Sequence, residues 1–243
     1  MHKLSQLFHK ITPKPLKRII ASSDFDIAKF VRNASVEMSE GALVLDAGAG
    51  QCQYKGLFSK QKYVGVDAAY GDSKWDYSHL DHVCDLTKMP FSNEHFDHAV
   101  CTQVLEHVPY PQNVLNEIGR VLKKDGTLYL SAPQGWCEHQ KPHDYFRYTR
   151  FGLEILLRNA GFEIESIKPA GGYFKYLGNR ITYLPKAIFW NIRYLIFRII
   201  FLPIEIVISL ICFLILPIVF NLIDFLDTKK DYTLNYLVKA GKK

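Results

Sequence analysis

Through the first two thirds of the chain, short apolar runs alternate with longer stretches of helical periodicity. "ALVLDA", "KYVGVDAA", "HVCDL", "HFDHAVCTQVL", "TLYLSAP" and "FEIESIKP" are compact segments of strand length. Between them, "DFDIAKFVRNASVEM" brings Phe25, Ala28, Val31, Arg32, Ser35 and Val36 near one face of a helix that starts close to Asp24. The stretch "GQCQYKGLF" after the first strand is expected to open a helix. "YPQNVLNEIGRVLKKDG" gathers Val114, Leu115, Ile118, Val121 and Leu122 on one side, with Gly126 as the expected stop. "RYTRFGLEILLRNAG" predicts a helix capped by Thr149 and closed beyond Gly161. Strands alternating with helices imply βαβ units, hence an α/β fold with a mostly parallel sheet covered on both faces.

The C-terminal third breaks this rhythm. From Ile206 to Ile223 there is no charge, a run of the length that can span a bilayer. It is followed by "YTLNYLVKAGKK", where Leu234, Tyr236 and Val238 alternate with Asn235, Leu237 and Lys239 as a strand would. At the other end, Lys3, Lys10, Lys14, Lys17 and Arg18 are mixed with Leu4, Leu7, Phe8 and Ile11, and no acid stands before Asp24. Such a segment suits an anionic membrane surface. Hydrophobic residues make up 48% of the chain, which excludes a disordered protein. No secretory signal pattern is visible at the N-terminus. The five cysteines show no paired spacing and read as small buried hydrophobes in a reducing compartment.

Candidate chemistry gathers at the strand ends. Asp46 closes the first strand, and Gly48 and Gly50 follow. Glycines there let the backbone turn tightly and let a ligand approach main-chain N–H groups. A dinucleotide site is one reading, but Gln53 stands where close helix–strand packing wants a small residue. An acid beside the turn suits a cofactor with a cationic end. Asp67 ends the second strand, placed to accept hydrogen bonds from ribose hydroxyls. Asp85 ends the third, next to Leu86, and can hold an adenine amine while the ring packs on Leu86. Gln103 and His107 follow the fourth.

Taken together, "VLDAGAG", "YVGVDAA", "CDLTKMPFSNEHFDHAVCTQVLEHV", "VLNEIGRVLKKDGTLYLSAP" and "GLEILLRNAGFEI" resemble the class I S-adenosylmethionine-dependent methyltransferases, the type 11 branch in particular. The resemblance runs from about Leu43 to Lys168. It implies a Rossmann-like seven-stranded sheet, six strands parallel and the seventh antiparallel, with S-adenosyl-L-methionine across the carboxyl ends of strands one to four. On that resemblance Asp46, Ala47, Gly48, Ala49 and Gly50 line the methionine end of the cofactor. Asp67 and Ala68 take the ribose, Asp85 and Leu86 the adenine, and Gln103 backs the cofactor. Cys52 stands where the family often has a third glycine.

Methyl transfer from a sulfonium is largely a matter of alignment and desolvation, with a base needed where the acceptor must lose a proton. The acceptor side is expected in "APQGWCEHQKPHDYFRYT". His143 or His107 is the expected base, with Tyr145, Arg147 and Tyr148 at the substrate; the alternative is that Asp144, Arg147 and Tyr148 only order the loop. Cys137, His139 and His143 lack an evident fourth ligand, and no metal site is expected.

These readings divide the chain into a basic segment (1–23), a methyltransferase domain (24–172), an apolar helical insertion (173–228) and a last strand that completes the sheet (229–243). If the two ends of the insertion return to one domain, it crosses a bilayer an even number of times or not at all. The expected insertion is two helices broken at Pro203, with Arg193, Arg198, Lys229 and Lys230 at the flanks and a kink at Pro217. The expected protein is an enzyme on the cytoplasmic face of a membrane, the bacterial inner membrane in particular. It contacts membrane lipids and no nucleic acid, and methylates oxygen on a lipid-linked or partly apolar acceptor such as a glycan-lipid or an isoprenoid/quinone-type intermediate. Two alternatives stand beside it: an NAD(P)-dependent oxidoreductase, and a non-catalytic membrane scaffold that binds the same cofactor.

Overall fold

The computed structural model describes residues 22–71, 75–189 and 195–243. Most of the basic N-terminal segment, Arg193 and the side chain of Arg198 lie outside the described residues. The chain divides into two compact units, one of Asp26–Ala170 with Asn235–Lys243 and one that includes Gly171–Leu234.

The first unit is built on seven strands: β1 (Leu43–Ala47), β2 (Lys62–Asp67), β3 (His82–Val83), β4 (Phe96–Thr102), β5 (Leu122–Pro133), β6 (Phe162–Pro169) and β7 (Asn235–Lys242). Their order is β3-β2-β1-β4-β5-β7-β6, with β7 antiparallel to both its neighbours. Strand alternation sorts the side chains. Leu45, Ala47, Ala99, Cys101, Leu128 and Leu130 face α2 (Pro111–Val121) and α3 (Arg150–Asn159), where Val114, Leu115, Ile118, Leu153 and Leu157 are fully buried. Val44, Val100 and Tyr129 face the other way, onto Ile27, Val31 and Ala34 of α1 (Ser22–Glu37) and onto Met38 just beyond it. Each such buried aliphatic contributes about 1.5–3 kcal/mol of transfer free energy.

Four local expectations need correction. The buried face of α1 is shifted from the one expected: Val31 and Ser35 are buried as expected, but Phe25 and Val36 are exposed, because Ile27, Val31 and Ala34 make the better stripe. No α-helix follows the glycine turn; turns and one 3-10 helix, Lys55–Leu57, occupy that stretch. The helix α2 ends at Val121 and not at Gly126, because Leu122 already pairs with Phe96 in the sheet. The third strand is only His82–Val83, so Cys84 and Asp85 lie just past its end. The cap at Thr149 is as expected, its side chain accepting from Gly152 N at 3.1 Å, and Gly161 takes φ +81° beyond the helix.

The second unit holds α4 (Tyr173–Ile181), α5 (Leu184–Phe189), α6 (Leu195–Leu210), a π turn (Ile211–Ile215), α7 (Leu216–Ile223) and a 3-10 turn (Asp224–Leu226). The helix is not broken at Pro203, which lies inside α6. Its ring removes one backbone donor, yet the flanking apolar residues continue the helix on both sides. The π turn stands directly before Pro217, where a widened turn relieves the clash of the ring with the preceding carbonyls. The helix α4 packs on α7 through Gly178, whose missing side chain leaves room for Phe220 and Pro217. Along α6 nearly every described side chain is apolar and exposed, among them Ile196, Ile199, Ile200, Ile206 and Val207. Among the described residues one helix, Ile199–Leu226, is long and apolar enough to cross a bilayer.

Candidate active site

At the carboxyl ends of β1 to β4 the sequence motifs converge. Asp46 is buried at the end of β1, and its Oδ2 accepts from Tyr63 Oη at 2.6 Å. Burial pushes this carboxyl up to about 7; the tyrosine bond opposes the rise and the charge of Asp67 adds to it. Gly48 has φ +84°, and a Cβ there would stand 2.2 Å from Val104 Cγ2, so only glycine fits. Gly48 N and Ala49 N both donate to the Val66 carbonyl, at 2.8 and 3.0 Å.

Asp67 locks this turn to the end of β2. Its Oδ2 accepts from Gly50 N at 2.9 Å and its Oδ1 from Ala69 N at 2.7 Å. Ala47 and Ala49 are buried beside the turn, and Ala68 is half-buried. Cys52 adopts φ +55°, the left-handed backbone that glycine takes without strain, which gives a physical sense to the glycine it replaces. Asp85 accepts from both Thr87 N (2.8 Å) and Thr87 Oγ1 (2.9 Å). The Leu86 side chain is buried in the main core, so it supports this loop from below and does not offer a face to a ligand. Gln103 sits at φ +55°, its N donating to Ser131 O at 3.0 Å and its Nε2 to Ser131 Oγ at 3.1 Å.

The loop after β5 meets the turn after β4. His107 Nδ1 lies 2.5 Å from the His143 carbonyl oxygen, and Tyr145 N donates to the Glu106 carbonyl at 2.7 Å. His143 itself is exposed, its Nδ1 3.2 Å from Tyr145 Oη, with the exposed Tyr145 beside it. Two expected substrate contacts are corrected by their partners. Arg147 spends all five N–H donors inside the loop: on both oxygens of Asp144 (2.7 and 2.8 Å) and on the carbonyls of Trp136, Cys137 and Phe146. Tyr148 is buried, and its hydroxyl donates to Leu105 O at 2.7 Å. Both residues order the loop. The Arg147 guanidinium holds Asp144 down at about 2, even against its burial.

The residue that sequence reasoning missed is Glu106. It is fully buried in the 3-10 turn Leu105–His107, and burial pushes its carboxyl up to about 8. The signal was an acid inside the apolar run "VLEHV".

Residues 45–130 match the family model described as a methyltransferase domain. This stretch is a methyltransferase domain. Among curated proteins the chain is 30% identical over 119 residues to the ubiquinone biosynthesis O-methyltransferase of Nitrosococcus oceani, covering 42% of this chain and 48% of that one. It is 25% identical over 162 residues to the sterol 24-C-methyltransferase of Candida albicans, covering 54% and 42%. The chain spans less than half the length of the curated relatives it matches. Among solved structures, the Burkholderia thailandensis 1,6-didemethyltoxoflavin-N1-methyltransferase, bound to its substrate and S-adenosylhomocysteine, superposes with a TM-score of 0.51 at 17% identity, over 89% of this chain and 76% of that one. That likeness is one of fold.

The methyltransferase domain fits S-adenosylmethionine on its own residues. Asp46 is a buried acid with no cation acting on it among the described residues, and an ammonium group beside it would restore its ionised form. Asp67 keeps lone pairs beyond the two used for N–H donors, enough for ribose hydroxyls. When bound, the cofactor supplies an electrophilic methyl group; the chain's part is to orient it and to exclude water.

Proposed function

We propose that this chain methylates an oxygen atom of a lipid-linked or partly apolar acceptor, using S-adenosylmethionine, at the cytoplasmic face of a membrane. The observation that carries this reading is where the apolar insertion joins the sheet. The chain leaves the methyltransferase domain after β6 and returns at β7, and Ala170 N donates to Asn235 O at 2.8 Å. Asn235 pairs with Pro133 and Tyr236 with Pro169, so both joints stand at the carboxyl edge of the sheet, the edge that holds Asp46, Asp67 and Asp85. An apolar acceptor drawn from a bilayer surface is consistent with the sterol and ubiquinone-pathway enzymes among the relatives.

The same joints bear on topology. Both ends of the insertion enter one sheet, so a single crossing is incompatible with β7 in place. With one candidate span among the described residues, a helix lying in one leaflet is favoured over a transmembrane pair. The nicotinamide reading is weakened by the stretch after the glycine turn, where no α-helix offers its N-terminus to a pyrophosphate. The test is transfer of label from methyl-tritiated S-adenosylmethionine into a lipid extract of the protein's own membranes. Label in a solvent-extractable product supports the reading; cofactor binding without turnover on any membrane fraction leaves the scaffold alternative standing.

A further inference from the structure

Glu106, His107 and His139 each offer a ligand atom within 4.8 Å of the others. Their surroundings fix which atoms face inward. His107 Nδ1 is 2.5 Å from the His143 carbonyl, which can only accept, so Nδ1 carries the proton and Nε2 holds a bare lone pair. His139 Nδ1 faces two acceptors, the Cys137 carbonyl at 3.1 Å and Asp144 Oδ2 at 3.3 Å, which likewise leaves its Nε2 bare. The two rings meet edge to face with centroids 4.7 Å apart. Glu106 Oε1 stands 3.8 Å from His107 Nε2. Both carboxylate oxygens and His107 Nε2 are buried without a hydrogen-bond partner.

With the Glu106 carboxyl ionised, this is a buried group of acceptors with no donor among them. Unpartnered buried acceptors are costly, by about 1–3 kcal/mol each and more when charged. The nearby cation, Arg147, has no donor left to give. A metal ion removes the conflict at a stroke, since it takes lone pairs from all three. Two imidazoles and a carboxylate are a donor set for zinc and related first-row divalent ions. The partners on the far side of each ring, a backbone carbonyl for His107 and a carboxylate for His139, are those that orient histidine ligands.

We propose that Glu106, His107 and His139 bind one divalent transition-metal ion of the zinc class, with an open coordination position. Three protein ligands leave a place for an oxygen donor. On the methyl-transfer reading above, and resting on it, that donor is the acceptor hydroxyl. Bound through oxygen, it releases its proton to solvent and attacks the methyl carbon; the carbon–sulfur bond breaks with its electron pair going to sulfur.

Metal binding is testable without any acceptor. The full chain, stripped with a chelator, is titrated with Zn2+ by calorimetry and with Co2+ by visible absorption. One ion per chain is expected, with a Co2+ spectrum of low coordination number and a rise in melting temperature on zinc addition. His139→Ala and Glu106→Gln are each expected to weaken binding at least tenfold and to abolish that rise, while their metal-free circular dichroism matches wild type. His139 lies in a loop, so its loss leaves the core intact. Absence of saturable one-to-one binding, or binding that survives both substitutions, overturns the proposal. If the ion binds as expected but no methyl transfer to a hydroxyl acceptor is found, the metal site stands and the reaction assigned to it falls.

Discussion

Asp46 and Asp67 do different work, though the sequence places both at strand ends. Asp46 is a buried acid raised to about 7 from 3.8, mainly by burial. Between those pH values the folded chain holds a proton that the unfolded chain has lost, so this group lowers stability as pH rises from about 4 to about 7. Asp46→Asn is therefore expected to raise the melting temperature of the ligand-free protein at pH 8, by about 2–4 °C for each kcal/mol recovered, and to leave it unchanged at pH 4. Scanning calorimetry at the two pH values checks this; the same variant is expected to lose cofactor affinity. Asp67→Ala removes the acceptor that ties Gly50 and Ala69 together, and with it the ribose contact proposed for this carboxylate. Isothermal titration with S-adenosylhomocysteine is expected to show at least a tenfold loss, in line with two hydrogen bonds to a charged group. The placement of these two acids beside the turn was legible because a strand end, a glycine and an acid are near neighbours in the chain. The fate of Arg147 was not, since its five partners are carbonyls and a carboxylate whose positions only the folded loop defines.

At the scale of elements, the helical insertion shows what periodicity cannot report. A proline inside an apolar run reads as a break, yet at Pro203 the helix continues. The base of the insertion is held by two acids whose sequence context gave no sign of it. Asp224 accepts from Gly172 N (2.9 Å) and Lys175 N (2.8 Å), and Asp227 Oδ2 from Tyr173 N (2.7 Å), so the free donors of the first turn of α4 are met by the residues that follow α7. Those backbone bonds hold Asp227 below its usual range. Asp224→Ala is expected to cost about 1 kcal/mol, like the loss of a helix cap. Faster limited proteolysis within Gly171–Leu234, with β1 to β5 still protected, is the readout. Gly178→Leu is expected to act more strongly, because even a Cβ there stands 3.1 Å from Phe220 Cβ and 3.3 Å from the Pro217 backbone.

For the whole molecule the decisive reading was β7. Alternation in "YTLNYLVK" was enough to predict a strand, and a strand needs a sheet, which made the apolar run an insertion and not a tail. Its register between β5 and β6 could not be read from the sequence, because pairing partners 67 residues away (Pro169 and Tyr236) to 114 residues away (Thr127 and Gly241) leave no local trace. The joint suggests a direct manipulation. Since Ala170 and Asn235 already share a hydrogen bond, a two-residue Asn-Gly turn can replace Gly171–Leu234 and link β6 to β7 as a hairpin. The shortened protein is expected to be soluble without detergent and to bind S-adenosylhomocysteine as the full chain does. Failure to release it from membranes would move the membrane contact elsewhere in the chain.

The position of β7 also sets an order of events during synthesis. The strand that fills the gap between β5 and β6 is the last one to leave the ribosome. Until it arrives, β5 and β6 have unpaired edges facing each other, and the sheet cannot close. The apolar helix is made before that strand, so it emerges while its host domain is still open. Domains fold as units once their chain is available. On the proposed membrane reading, a bilayer therefore receives the helix first, and the sheet closes afterwards beside an anchor that is already seated.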